Sequence, residues 1–168
     1  MSAPEMRVGT GYDVHQLVAG GPLVLGGVAI PAERGLLGHS DADVALHAIM
    51  DALLGAVALG DIGQHFPPSD PAYRGIDSRR LLAHVRDLLA REGWRIVNID
   101  CTIVAERPKI APHTAAMRAA IGETLGLATD RIGIKATTNE RIGFIGREEG
   151  IAAIAVALLA RESVVGSP

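Results

Sequence analysis

The sequence predicts an α+β fold, a two-layer sandwich in which a mostly antiparallel or mixed sheet carries helices on one face. Three observations lead there. Segments that alternate as strands do, such as "WRIVNIDCTIVAE" at 94–106, stand apart from helical ones. The stretch 78–93, "SRRLLAHVRDLLAREG", has an amphipathic helical period. The tail at 153–158 runs Ala, Ile, Ala, Val, Ala, Leu, so one face of a final strand is lined with alanine.

The elements follow in order. "RVGTGYDV" at 7–14 is a first strand, and "PLVLGGVAIP" at 22–31 holds short strands around a Gly26-Gly27 turn. The stretch 39–60, "HSDADVALHAIMDALLGAVALG", reads as a buried helix. Ser40 is its N-cap, Asp41 and Asp43 suit its first turn, and Gly60 stops it. A Pro/Gly-rich loop at 61–77 is long enough to suggest a functional role. The helix over 78–93 ends at Gly93, and "ERPKIAP" (106–112) breaks the strand that follows. A third helix covers 113–126, a strand covers 131–137, and "TNERIGFIGREEG" (138–150) is a loop. The tail 152–160 is ambiguous by period, and its small/large alternation favours a strand. Its alanine face suits close packing against another layer or another subunit.

With 168 residues, of which 48% are hydrophobic, one domain over 1–168 has enough apolar side chains for a sizeable core. At 3% aromatics that core is built of Ala, Leu, Ile and Val. A net charge of -3 with scattered arginines offers no footprint for nucleic acid. The single cysteine, Cys101, allows no internal disulfide and suits a reducing compartment. The N-terminus lacks a signal-peptide pattern, and "IAAIAVALLA" is too short to cross a bilayer. These features lead us to expect a soluble cytoplasmic protein without membrane partners.

One constellation carries chemistry. Asp13 and His15 in "GYDVHQL" lie two apart, so a strand projects both to one side. His47 sits in an apolar helix, where a polar group needs a partner. It is either a satisfied core histidine or the third member of an Asp-His-His set. Three ligands with one position open is the pattern of a catalytic zinc. Asp43, His47 and Asp51 share a helical stripe, so Asp51 could fix an imidazole tautomer. His65, His84 and His113 have no such company. His84 reads as helix surface and His113 as a helix start.

"GYDVHQL", "GHSDADVALHAIMDALLGAVALGDIGQHFP", "AERPKIAP" and "KATTNERIGFIGREEGIA" occur in that order, spanning Arg7 to Arg161. Together they strongly resemble the 2-C-methyl-D-erythritol 2,4-cyclodiphosphate synthases of non-mevalonate isoprenoid biosynthesis. The resemblance implies a stand-alone enzyme with no preceding nucleotidyltransferase domain. It implies cyclisation of 4-diphosphocytidyl-2-C-methyl-D-erythritol 2-phosphate with loss of CMP. It implies Zn2+ on Asp13, His15 and His47, and Mg2+ or Mn2+ at the diphosphate with Glu140 as a candidate ligand.

By the same resemblance His39 and Thr138 flank the transferring centre, and His39 and Ser40 contact phosphate, as would a helix N-terminus after Ser40. Asp61, Ile62 and Gly63 line the erythritol pocket beside a flexible loop at 66–70 that includes Phe66 and Asp70. Ala105, Pro108, Lys109, Ile110 and Ala111 lie in the cytosine cradle. Thr137, Thr138 and Glu140 grip the diphosphate, Asn139 is a further substrate-binding residue, and Phe144 and Arg147 complete the match. Pro68, Tyr12 and Asn139 depart from the residues frequent in relatives. The resemblance also implies a homotrimer packing its sheets around a threefold axis, with metal ligands from one chain and cytidine contacts from the next. A central channel that can hold an isoprenoid diphosphate would run between the sheets, with Arg147 and Glu149 near its mouth. The rival readings are a related metal-dependent phosphohydrolase and a trimeric isoprenoid-phosphate binding protein.

Overall fold

A computed structural model describes residues 3–161. The expected domain of 1–168 therefore extends at both ends into residues that lie outside the described ones. The strands are β1 (Glu5–Ala19), β2 (Leu23–Leu25), β3 (Val28–Ile30), β4 (Arg34–Leu37), β5 (Arg95–Val104), β6 (Ile132–Thr137) and β7 (Gly150–Arg161). The helices are α1 (Val44–Ala56), α2 (Ile62–His65), α3 (Ser78–Arg91), α4 (Thr114–Leu125) and α5 (Gly143–Gly146). Strands order β4-β1-β7-β5-β6 in a five-stranded sheet, while β2 and β3 form a separate hairpin. Only β5 and β6 run parallel, so the sheet is mixed, as expected.

The alanine face of β7 meets a helix of the same chain. Gly9, Gly11 and Asp13 of β1 pair with Ala157, Ala155 and Ala153 of β7. These small residues form a floor on which α1 lies. A β-carbon on Gly11 would fall 1.9 Å from the carbonyl oxygen of Ala48, and one on Gly9 would fall 2.0 Å from that of Ala52. Helix and strand thus approach closer than side chains permit, and α1 is buried nearly all round. That burial explains why its sequence shows no polar stripe wide enough for solvent. The opposite face of β1 and β7 is uncovered: Met6, Val8, Tyr12, Val14, Ile154 and Val156 are exposed.

Three expectations are corrected, and a strand the sequence did not reveal is added. Helix α1 begins at Val44 with Asp43 as its N-cap, not at Ser40. Buried Asp43 accepts from the Leu46, Gly26 and Gly27 amides, tying α1 to the β2–β3 turn. The helix ends at Ala56 rather than Gly60. Strand β4 has no alternation of its own in "RGLL" and exists through its pairing with β1. The segment 138–150 contains the single-turn helix α5. No helix among the described residues is long and apolar enough to cross a membrane.

Candidate active site

Asp13 and His15 project from β1 toward the N-terminal half of α1, where His47 meets them. Asp13 Oδ2 lies 3.0 Å from His15 Nε2 and 3.0 Å from His47 Nδ1. The two imidazole nitrogens are 3.1 Å apart. These three residues form a group able to hold a metal ion, their ligand atoms all lying within 4.8 Å of one another. The close seating of α1 on Gly9 and Gly11 is what brings His47 to the strand.

The donor set fits a divalent cation. His15 Nδ1 lies 2.8 Å from the Leu37 carbonyl oxygen. A carbonyl can only accept, so Nδ1 carries a proton and Nε2 is the nitrogen available to a cation. A carboxylate oxygen and two imidazole nitrogens thus converge on one point, the donor types a divalent cation such as zinc takes.

The electrostatics make the same demand. Burial pushes the Asp13 carboxyl up, but the bonds and charges of His15 and His47 outweigh it and hold it at about 2. Burial lowers the His15 imidazole, but the Asp13 carboxylate and the Leu37 carbonyl outweigh it, and its pKa is raised. In metal-free protein these shifts set two pH windows. Asp13 stabilises fully above its ordinary 3.8 and loses that contribution as pH falls toward about 2. The contribution is on the order of 2 kcal/mol. His15 stabilises fully below its ordinary 6.5 and loses that contribution as pH rises through its folded pKa. Asp13→Asn is expected to flatten both limbs, which urea midpoints of metal-free protein across pH will show. Limbs as steep as those of the parent would refute the coupling.

The other side of His47 faces hydroxyls. Its Nε2 lies 3.1 Å from Ser40 Oγ and 3.1 Å from Ser78 Oγ. Ser78, the buried first residue of α3, carries no local sign of this role in the sequence. Asp51 does not reach an imidazole, correcting the expected tautomer role. Its Oδ1 accepts from the Ile62 amide at 2.8 Å and so anchors α2. Asp61 caps that helix through the Gln64 amide and, with Ile62 and Gly63, sits on a loop held by α1. Asp51→Ala is expected to remove about 1 kcal/mol of this anchoring. It should raise KM while leaving metal content unchanged, and steady-state kinetics beside metal analysis will check it. An unaltered KM would refute the anchoring role.

His39 is exposed, with Nε2 3.4 Å from the Asp70 carbonyl oxygen. The Asp70 carboxylate caps the turn at Pro71–Tyr73. Phe66 is corrected as a lining side chain: its ring is buried against Tyr73 and His84. Ile110 and Ala105 are buried too, so their side chains do not line a ligand surface. His84 and His113 fall where expected, on the exposed surface of α3 and at the start of α4.

A second cluster lies apart from the first. A cleft of about 800 Å³ is lined by Glu106, Arg107, Pro108, Lys109, Thr138 and Glu140, with Arg34, Arg141 and Glu148 at its sides. Thr138 Oγ1 donates to Glu140 Oε1 at 3.2 Å. Glu106, which the sequence reading missed, accepts from the Asn139 and Arg141 amides at 3.0 Å each. It ties the 105–111 segment to the 137–141 loop, where Glu140 and Arg141 have positive φ. Thr137 is exposed at the end of β6, and Phe144 and Arg147 are exposed in and beside α5. None of Asp13, His15, His39, Ser40 and His47 lines this cleft.

A model of the YgbB family matches residues 6–160. The chain belongs to the YgbB family. It is 68% identical over 155 residues to the 2-C-methyl-D-erythritol 2,4-cyclodiphosphate synthase of Symbiobacterium thermophilum, covering 92% of this chain and 99% of that one. The synthase of Thiobacillus denitrificans is 62% identical, with 94% and 98% covered. Among solved structures, a synthase with CDP bound matches at 39% identity and TM-score 0.84, covering 91% of this chain and 99% of that one. The bifunctional IspDF of Campylobacter jejuni matches at 41% identity and TM-score 0.91, covering 95% of this chain. This chain spans 43% of that bifunctional one.

Proposed function

We infer that the chain is a cyclodiphosphate synthase, a CMP-forming lyase that converts 4-diphosphocytidyl-2-C-methyl-D-erythritol 2-phosphate to 2-C-methyl-D-erythritol 2,4-cyclodiphosphate in isoprenoid biosynthesis. The convergence of Asp13, His15 and His47 carries this reading, together with membership of the family. An oxygen of the 2-phosphate attacks the β-phosphorus, the bond from that phosphorus to the CMP oxygen breaks, and CMP leaves with the electron pair. The substrate supplies its own nucleophile, so the protein's task is positioning and charge neutralisation.

Asp13, His15 and His47 would hold Zn2+, and the diphosphate near Glu140 would hold Mg2+ or Mn2+; when bound, these ions supply Lewis-acid charge neutralisation to phosphate oxygens. The Ser40 hydroxyl, which contacts His47, and the exposed His39 ring donate to phosphate. Asp61, Ile62 and Gly63 form the wall for the erythritol chain. In the cleft, Lys109 brings positive charge and Thr138 a hydroxyl, while backbone groups of 105–111 read the cytosine edge. Thr137, Thr138 and Glu140 grip the diphosphate.

The two clusters belong to one reaction if they meet across a subunit boundary. We propose a homotrimer, the cleft of one chain completing the Asp-His-His site of the next. The uncovered apolar face of β1 and β7 supports this, because a patch of Met6, Val8, Tyr12, Val14, Ile154 and Val156 calls for burial. Sheets packed on that face enclose a channel suited to an isoprenoid diphosphate, with Arg147 and Glu149 near its mouth. The chemistry is that of a cytoplasmic biosynthetic enzyme.

Phosphorus NMR of the protein with the cytidyl diphosphate substrate, zinc and magnesium tests the reaction. Two coupled diphosphate signals of a ring plus free CMP are expected. Inorganic phosphate would instead identify a phosphohydrolase. Unchanged substrate with folded, metal-loaded protein would point to a binding protein.

A further inference from the structure

We propose that Asp41 and Ser78 are positioning residues that set the tautomer of His47, holding Nε2 as an N–H so that Nδ1 is left as the lone-pair donor to the cation. The proposal rests on the metal reading above.

The argument starts at Asp41. Its carboxylate accepts from the Ser78 amide at 2.9 Å through Oδ2 and from the Asp43 amide at 3.2 Å through Oδ1. Oδ1 also lies 2.5 Å from Ser78 Oγ. A carboxylate in this position is an acceptor, so the short contact is the Ser78 hydroxyl donating. A serine has one hydroxyl proton. With it committed to Asp41, Ser78 Oγ turns only lone pairs toward His47 Nε2, 3.1 Å away. Two lone pairs facing each other in a buried place repel, so Nε2 must carry the proton. Ser78 is fully buried, and water cannot supply an alternative partner.

Ser40 is consistent with this direction. Its Oγ accepts from the Ala42 amide at 3.2 Å and shares His47 Nε2 with Ser78. If Nε2–H is the donor there, the Ser40 hydroxyl proton is uncommitted and free for a phosphate oxygen. His15 is fixed from its own side by the Leu37 carbonyl. Two independent devices, one a backbone carbonyl and the other the Asp41–Ser78 pair, therefore turn three electron-pair donors onto one point. Both pieces of the second device lie on segments flanking helices: Asp41 just before α1 and Ser78 at the first turn of α3. The pair thereby links the docking of α3 to the readiness of the metal site.

Three proteins are compared: the parent, Ser78→Ala and Asp41→Asn. In Asp41→Asn the amide oxygen can keep the Ser78 N–H while its NH2 donates to Oγ, which turns the hydroxyl proton toward His47. Zinc affinity is measured by chelator competition, and the His47 ring nitrogens by 15N NMR of metal-free protein. The parent is expected to show a proton on Nε2. Asp41→Asn is expected to lose the proton on Nε2, and both variants to weaken zinc binding 10- to 100-fold. Circular dichroism confirms folding, and the near-isosteric Asp41→Asn serves where Ser78→Ala loosens α3. Parent-like zinc affinity and an unmoved Nε2–H in the variants would overturn this proposal alone. A parent that takes up no zinc would overturn the metal reading and this proposal with it.

Discussion

His47→Ala is expected to abolish turnover, lowering kcat/KM on the order of 10³-fold or more, while the chain stays folded. Three ligand atoms converge at this point, and His47 is the one brought from another element. Removing it leaves Asp13 and His15 as a two-ligand site on a single strand, too few to hold a cation against water. The fold should survive for local reasons. Alanine is the better helix former, and the space left next to Ser40 and Ser78 is polar enough to admit water. Metal analysis, circular dichroism and turnover on the same preparation provide the check. Normal turnover by a mutant without bound metal would remove the Asp-His-His assignment.

Gly11→Ala is expected to be among the most damaging single-methyl changes at the described residues. The new β-carbon would stand 1.9 Å from the Ala48 carbonyl oxygen and 2.8 Å from the Ala52 nitrogen. Both are backbone atoms of α1, so no rotamer change relieves the clash and the whole helix must move. Overpacking usually costs 1–3 kcal/mol, and displacement of a rigid helix puts this case at about 3 kcal/mol or more. The movement also carries His47 away from Asp13, so zinc affinity should fall even in molecules that fold. Denaturant unfolding and chelator competition together test this. A loss below about 1 kcal/mol would mean that α1 is seated less tightly on β1 than its geometry indicates.

These two expectations separate what could be read early from what could not. The sequence by itself determined the class of fold. Alternation in 94–106 and 152–160 specifies strands because strand side chains alternate between faces. The amphipathic period of 78–93 specifies a helix because one stripe must meet a core. It also determined the chemistry-bearing residues. Asp13 and His15 lie two apart on a strand, and their shared side follows from local geometry alone.

Tertiary structure decided the rest. Whether His47 was a core histidine or a ligand depended on where α1 lies on the sheet, and only the glycine–alanine floor settles that approach. Asp51, on the same helical stripe, turned to the Ile62 amide because α2 folds back beneath it. Ser40 looked like a cap from its type, but buried Asp43 took that place by bonding the β2–β3 turn as well as the helix. Strand β4 has no pattern of its own and is created by its partner. Ser78, Asp41 and Glu106 were invisible as site residues, since their roles come from hydrogen bonds between segments distant along the chain. A sequence displays period and residue type, which are local properties. The choice of partner for a buried polar group is made by packing, and packing is known only when the whole chain is assembled.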